Sequence, residues 1–269
     1  MSLINFVGGL SKLRLLVGCR TETFSAIELG FVNIVKELLI FGTGPNTVLV
    51  PSLSPCKKED NVCLLKLSKA IYALAVVGNP ELQIESSDPL QRDEIIGNLG
   101  VINYKLFNNT CLGYKRCEVL NSKYNFEKSH VEFELRCPEF YMDGIYEIDG
   151  KLLGVPIQGK GPYWIRCKDY LVNVDAETTR VVGEDNKMHL AIKNFKVKAD
   201  LRGGMDLQLD NLFNGNKQLA DPVNNLIKLN WSPVAKILQE PTFNGNLKTL
   251  FKNFNKYLKL IPIENIILD

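Results

Sequence analysis

Cys56 and Cys63 bracket the stretch Lys-Lys-Glu-Asp-Asn-Val and are the first residues whose spacing invites chemistry. In an extended loop they cannot bond. A turn feeding a helix brings them within bridging reach. The alternatives are two reduced thiols or half of a metal site. No second close Cys/His pair with zinc-like spacing follows, so a disulfide is favoured if the chain is exported. The chain has only two histidines, His130 and His189, which leaves little for acid–base or metal chemistry. Both sit in strand-like segments, and His130 falls on the polar side of its strand. Pro156-Ile-Gln-Gly-Lys-Gly161 offers a Gly-Lys pair, but a phosphate-binding loop continues with Ser or Thr and a helix. Here Gly161-Pro162 and a strand follow, so the segment reads as a tight connection between strands. With no nucleophile elbow and no metal motif, the constellation that activates a nucleophile is missing. No enzyme, no metal and no cofactor are expected.

Composition narrows the field further. Charged residues make up 23% and hydrophobic ones 45% of 269 residues, an ordinary globular balance. A net charge of +2 gives no electrostatic case for nucleic acid. Residues 1–51 fit no simple leader: the apolar run of Met1–Cys19 is broken by Lys12 and Arg14, and Phe31–Phe41 carries Lys36 and Glu37. Neither offers the roughly 18 uncharged apolar residues of a membrane span. This segment is read as an unusual or mis-assigned start that obscures a leader, and the functional domain as residues 52–269.

Three kinds of element must position whatever this chain binds. Asp60 can cap a helix carrying Val62, Leu65, Leu67, Ile71 and Leu74, with a stop at Gly78 and Pro80. Residues 95–210 read as antiparallel strands. His130–Cys137 alternates strictly: Val131, Phe133, Leu135 and Cys137 on one face, His130, Glu132, Glu134 and Arg136 on the other. Ile145–Leu153 reads as a hairpin turning at Asp149-Gly150. Further strands are expected at Tyr163–Val174, Met188–Ile192, Phe195–Leu201 and Met205–Leu209, with a turn or bulge at Gly203-Gly204.

The last fifty residues carry an apolar stripe at helical spacing. Leu219, Val223, Leu226, Ile227, Val234, Ile237 and Leu238 are followed by Leu247, Leu250, Phe251, Phe254, Leu258 and Ile261. Lys248, Lys252, Lys256 and Lys259 lie away from most of that stripe. Asp221-Pro222 is the expected start, and Pro241 with Asn244-Gly245 a kink or break. The fold class is therefore α+β: a strongly curved antiparallel sheet wrapped around a long, bent C-terminal helix, with room for a long apolar tunnel between them.

An ordered set of motifs agrees with this. It runs through Cys56…Cys63, Gly78-Asn-Pro-Glu-Leu82, Asp88-Pro-Leu90, Leu112-Gly113, Pro138-Glu-Phe140, Gly150-Lys-Leu-Leu153, Pro156–Gly161, Leu212-Phe-Asn-Gly-Asn216, Leu229-Asn-Trp231 and Ile261-Pro262-Ile263. Together these resemble the insect takeout and juvenile hormone binding protein family over residues 52–269. The resemblance implies a secreted, non-enzymatic carrier of a small lipophilic molecule such as a terpenoid or fatty acid; a monomer is expected. It places Cys56 and Cys63 on the family's N-terminal disulfide. The candidates to line the implied tunnel are Val131, Phe133, Leu135, Leu152 and Trp164 from the strands, and Leu226, Ile227, Val234, Phe251 and Phe254 from the helix. The chain departs from the family in its missing clean leader, in Ser232-Pro233 within the helical stretch, and in cysteines at 111, 117, 137 and 167.

Cys111 and Cys117 would stand roughly 20 Å apart in one extended strand, out of reach of each other. Cys137 with Cys167 is open across the sheet, and so are reduced, inward-facing thiols. Asn108-Asn109-Thr110 is an N-glycosylation triplet in an expected loop; Pro233 argues against the second, Asn230-Trp231-Ser232. A rival reading is a peripheral lipid binder that lays the Lys-rich C-terminal helix on a membrane.

Overall fold

A computed structural model describes residues 54–268. The expectations for residues 1–51, and Ser52 as a boundary, lie outside the described residues. Strand β1 (Cys56–Lys57) leads into helix α1 (Asn61–Val77). The Asp60 side chain accepts from the Cys63 amide at 3.0 Å, which turns the chain and brings Cys56 within 5.6 Å (Cα–Cα) of Cys63, where the disulfide closes. The same cysteine is tied to the far end of the chain, because β1 pairs in parallel with β9 (Ile267–Leu268).

The middle of the chain is one antiparallel sheet that is not closed into a barrel. Its strands are β2 (Leu90–Asn98), β3 (Ile102–Leu112), β4 (Glu118–Asn125), β5 (His130–Leu152), β6 (Val155–Val182), β7 (Met188–Leu201) and β8 (Met205–Leu209). Their order is β2-β3-β5-β6-β7, with β4 added on β5 and β8 on β6. Register shifts at Phe107/Thr110, Val119/Asn121 and Glu177/Thr178 mark bulges, which add local twist and let the sheet curl.

Three sequence expectations change here. The hairpin turns at Leu153-Gly154, not at Asp149-Gly150. Gly150 instead holds φ +131° inside β5, where an added Cβ would stand 2.4 Å from the Val101 carbonyl oxygen. Pro156–Gly161 is not a connection but the start of β6, paired with Lys151–Tyr146 on β5 in continuous register through Gly161. The two strands expected at Met188–Ile192 and Phe195–Leu201 are one strand, β7, with a bulge at Lys193.

The cysteines of the sheet also resolve. Cys117 bonds Cys137, because the β4–β5 pairing sets Glu118 opposite Arg136 and leaves the two sulfurs side by side. Cys167 stands opposite Phe140, three positions away from Cys137's partner Tyr170, so the Cys137–Cys167 pairing is not made. Cys111 and Cys167 are free and buried.

The C-terminal helical stretch has three pieces: α2 (Lys217–Leu229), α3 (Trp231–Leu238) and, after a π-helical segment at Gln239–Asn244, α4 (Gly245–Leu258). The start at Asp221-Pro222 is not realised; α2 begins at Lys217 with Pro222 inside it. Leu219 is exposed rather than part of the buried stripe. The break falls at Asn230, whose side chain donates to the Leu226 carbonyl at 2.8 Å, and Pro233 is then absorbed in the first turn of α3. Where Pro241 and Asn244-Gly245 predicted a kink or break, the backbone continues through the π segment.

Helix α4 is gripped by an aromatic cluster. Phe251 packs edge-on against Phe133 of β5 (centroids 5.4 Å) and tilted against Phe195 of β7 (5.2 Å), while Phe254 stacks on Phe133 (6.1 Å). Asn255 pairs both its amide groups with the Ile192 backbone, at 2.7 and 3.0 Å. Phe251 is 1% exposed. Phe251→Ala is expected to cost about 3–5 kcal/mol, the range for deleting a buried aromatic side chain, read as a lowered urea midpoint.

Candidate functional site

Between α3 and the inner face of the sheet lies a narrow apolar slot. Its walls are Ile102, Tyr104 and Leu106 of β3, Tyr146, Ile148 and Leu152 of β5, Tyr163 and Ile165 of β6, Leu207 and Leu209 of β8, and Val234, Ile237 and Leu238 of α3. Strand parity explains the assembly: Ile102/Tyr104/Leu106 and Tyr163/Ile165 are alternate residues of two strands, each pair facing the same side. Gly97 on β2 makes room for the Tyr104 ring, since an added Cβ there would sit 2.2 Å from the ring carbon Cε1.

The slot's only side-chain hydroxyls belong to three tyrosines, and each is engaged elsewhere. Tyr104 shares a 3.2 Å hydrogen bond with Thr242 of the π segment. Tyr146 donates to the Asp210 carbonyl at 2.7 Å. Tyr163 donates to Asn109 Oδ1 at 2.6 Å, and Asn109 in turn donates to the carbonyls of Arg92 and Leu106. Burial pushes the Tyr104 phenol up to about 12 against the effect of its Thr242 bond. Burial, then the nearby Asp210 charge, takes Tyr146 to about 12, and burial raises Tyr163 as well. The rings therefore present hydrocarbon edges and faces to the slot, with their polar ends turned to the protein.

The slot measures about 40 Å³, far below the roughly 300–1,000 Å³ of sites that enclose drug-sized ligands. Further along α4 the aromatic cluster around Phe251 packs the helix against β5 and β7. A second small cavity of about 40 Å³ lies at the other end, lined in part by Tyr124, Phe126, His130, Leu190 and Ile266. A larger concavity of about 470 Å³, edged by Lys123, Glu132, Glu134, Asp175, Lys196 and Lys198, is an open, mixed-charge hollow on the outer face and is unsuited to an apolar guest.

Of the residues proposed from sequence, Leu152 and Val234 line the slot. Leu135, Ile227, Phe251 and Phe254 are buried in the core, and Val131, Phe133 and Leu226 are half-buried. Trp164 is misassigned: it lies on the outer face, 36% exposed, between slot residues Tyr163 and Ile165. Arg166 and Lys168, on its own parity, were the signal that could have placed it there. Asn108 is exposed in β3 at a bulge, with φ 51°, rather than in a loop. Asn230 is half-buried and its amide is already bonded to Leu226.

The polar partners of both histidines are carboxylates. His189 is buried and bonds exposed Asp185 at 2.8 Å; His130 lies 3.6 Å from Glu132 and 3.7 Å from Asp175. Among the described residues no three His, Cys, Asp or Glu side chains gather as metal ligands. No helix among them is long and apolar enough to cross a membrane.

This fold is that of a known class. Residues 37–268 match the haemolymph juvenile hormone binding protein family, and the chain belongs to it. It is 29% identical over 198 residues to the circadian clock-controlled protein daywake of Drosophila melanogaster, covering 70% of this chain and 76% of that one. To daywake of Drosophila yakuba it is 26% identical over 211 residues, covering 74% and 80%. The crystal structure of Epiphyas postvittana Takeout 1 superposes with a TM-score of 0.74 at 26% identity, over 80% of this chain and 100% of that one. The family is one of binding proteins.

Two measurements follow from the buried acids. Each phenol raised above its ordinary value near 10 favours the fold fully below about pH 10, and that contribution is lost as pH climbs through about 12. Chemical stability should therefore fall between pH 10 and 12, in step with tyrosinate absorbance. Burial also pushes the Cys111 and Cys167 thiols up to about 12. Since the thiolate is the reactive form, peptide mapping after iodoacetamide at pH 8 should find both unmodified in folded protein and both labelled in guanidinium.

Proposed function

We propose that this protein is a non-catalytic, extracellular carrier that takes a small, elongated, lipophilic molecule into the slot beneath α3. The observation that carries the reading is the slot's chemistry: thirteen residues line it, and the only side-chain hydroxyls among them are bonded away from it. Such a surface gains from excluding water and offers an incoming carboxylate or hydroxyl no free side-chain partner, so it favours the hydrocarbon part of a guest. The name of the family and its relatives' size and fold support a ligand of the juvenile hormone or fatty-acyl kind. Two disulfides are consistent with an oxidising compartment, and Asn108, exposed at its bulge, is accessible to glycosylation there.

Entry requires the slot to widen. Helix α3 is the element suited to move: it is eight residues long, with a break at Asn230 before it and the π segment after it. The rival use of α4 as a membrane-lying helix is disfavoured. Its Leu247, Leu250, Phe251, Phe254 and Leu258 are buried against the rest of the protein, so no apolar face remains for lipid beside the lysines.

The test is titration of delipidated protein with a fluorescent fatty-acyl or terpenoid probe. Leu207→Trp, which adds bulk to a half-buried slot position, should weaken uptake roughly tenfold or more, the scale of overpacking costs of 1–3 kcal/mol. Trp164→Ala and Glu134→Arg, both off the slot, should leave it unchanged. Folded, delipidated wild type that takes up no lipophilic probe would overturn the carrier reading.

A further inference from the structure

One end of the slot is lined by Ile102, the first residue of β3, and Leu152, the last residue of β5. Each is next to a hairpin turn, and the two turns lie side by side: the Lys151 amide donates to the Val101 carbonyl at 2.7 Å. The residues that cap these turns are apolar and project into solvent. Val101 is 68% exposed, and Leu99, Leu153 and Val155 are exposed as well.

Nothing in the folding of the hairpins asks for such residues. The β5–β6 turn holds Leu153 at φ 50° and Gly154 at φ 84°, a two-residue turn with positive φ at both positions, which Asn-Gly or Asp-Gly fills at least cost. A leucine there carries both backbone strain and an exposed apolar side chain. The flanking charges are sparse and of both signs, Lys151 and Asp149 being adjacent to the tip. An apolar rim without a basic surround, continuous with an apolar slot, matches the inside of a bilayer rather than its anionic surface or a charged protein.

We propose that the paired hairpin tips, Leu99–Val101 and Leu153–Val155, are a lipid-docking surface. They seat in the headgroup–acyl boundary of a phospholipid bilayer and set this end of the slot against the membrane, so that a guest passes between bilayer and slot without crossing water. This rests on the carrier reading for its purpose, but not for its measurement. Because the insertion is apolar, it needs no anionic lipid.

The experiment is flotation of the full-length protein with phosphatidylcholine vesicles, with and without 30% phosphatidylserine as a chosen composition, in parallel with probe titration in solution. Wild type should float with both kinds of vesicle. Val101→Asp/Leu153→Asp should reduce the floated fraction roughly tenfold or more, since two side chains lose their transfer into lipid. A second pair, Leu99→Asp/Val155→Asp, should act alike. Leu229→Asp, at an equally solvated leucine of α2 (72% exposed), should have no effect. Both tip variants should bind probe in solution as wild type does, while their probe transfer from vesicles slows. No flotation of wild type, flotation that needs phosphatidylserine, or flotation unaffected by either tip pair would each overturn the proposal. Self-association abolished by the tip variants without vesicle binding would assign the tips to a second copy of the chain, and overturn it equally. If flotation behaves as expected but solution binding is absent in wild type, the docking surface stands and the carrier reading fails.

Discussion

A helix with a broad apolar stripe must be covered, and in this protein the cover is a sheet that has to curl to reach it. The contact of Phe251 with Phe133 and Phe195 is where the requirement is met: one helical ring bridges strands that are not neighbours in the sheet, with β6 between them. Strands β5 and β7 thus reach the same ring from either side of β6. The curvature comes from bulges, including one at Lys193 of β7, across from Glu177/Thr178 and between Ile192 and Phe195, which meet α4. Burial of these rings then stabilises the curl that made it possible.

Buried polar groups fix how the helix sits in this apolar interior. Asn246 accepts from Arg92 at 3.1 Å and turns its amide toward the sulfurs of Cys111 and Met142. Asn253 donates to the Glu85 carbonyl and to Ser87, both at 3.0 Å. Hydrophobic contact alone tolerates sliding and rotation, whereas an unsatisfied buried amide costs about 1–3 kcal/mol, so these bonds favour one setting of α4. Over the slot the helical stretch is held differently. Helix α3 meets the sheet through Val234, Ile237 and Leu238, which are held by packing rather than by directed bonds. The two parts of the interior thus differ in the kind of interaction that holds the helix.

The same division separates the slot from the core around it. The three tyrosines act as walls because their hydroxyls are consumed by Thr242, Asp210 and Asn109, groups drawn from the π segment, the end of β8 and the β3 bulge. A wall made this way has the shape of an aromatic ring and the chemistry of a hydrocarbon.

Much of this was legible in the residues alone. Period two in His130–Cys137 placed Phe133 and Leu135 inside, the 3.6-residue stripe placed Phe251 and Phe254 against a cover, and Asp60 with the cysteine pair set the entry to α1, because each is a local pattern with a local cause. Parity could not be carried along whole strands. On β5 the inward set changes from Leu135 and Cys137 to Phe140 and Met142, and on β6 from Cys167 to Tyr170, as the paired strands pass Pro138 and Asp169. That shift comes from the bend of the sheet, which is a property of all its strands together. The Cys117–Cys137 bond, the site of the break at Asn230 and the membership of the slot depend likewise on register and on which faces meet. The sequence determined what had to be buried; only the tertiary structure decided against what, since contacts between residues distant in the chain are selected by packing and not by local pattern.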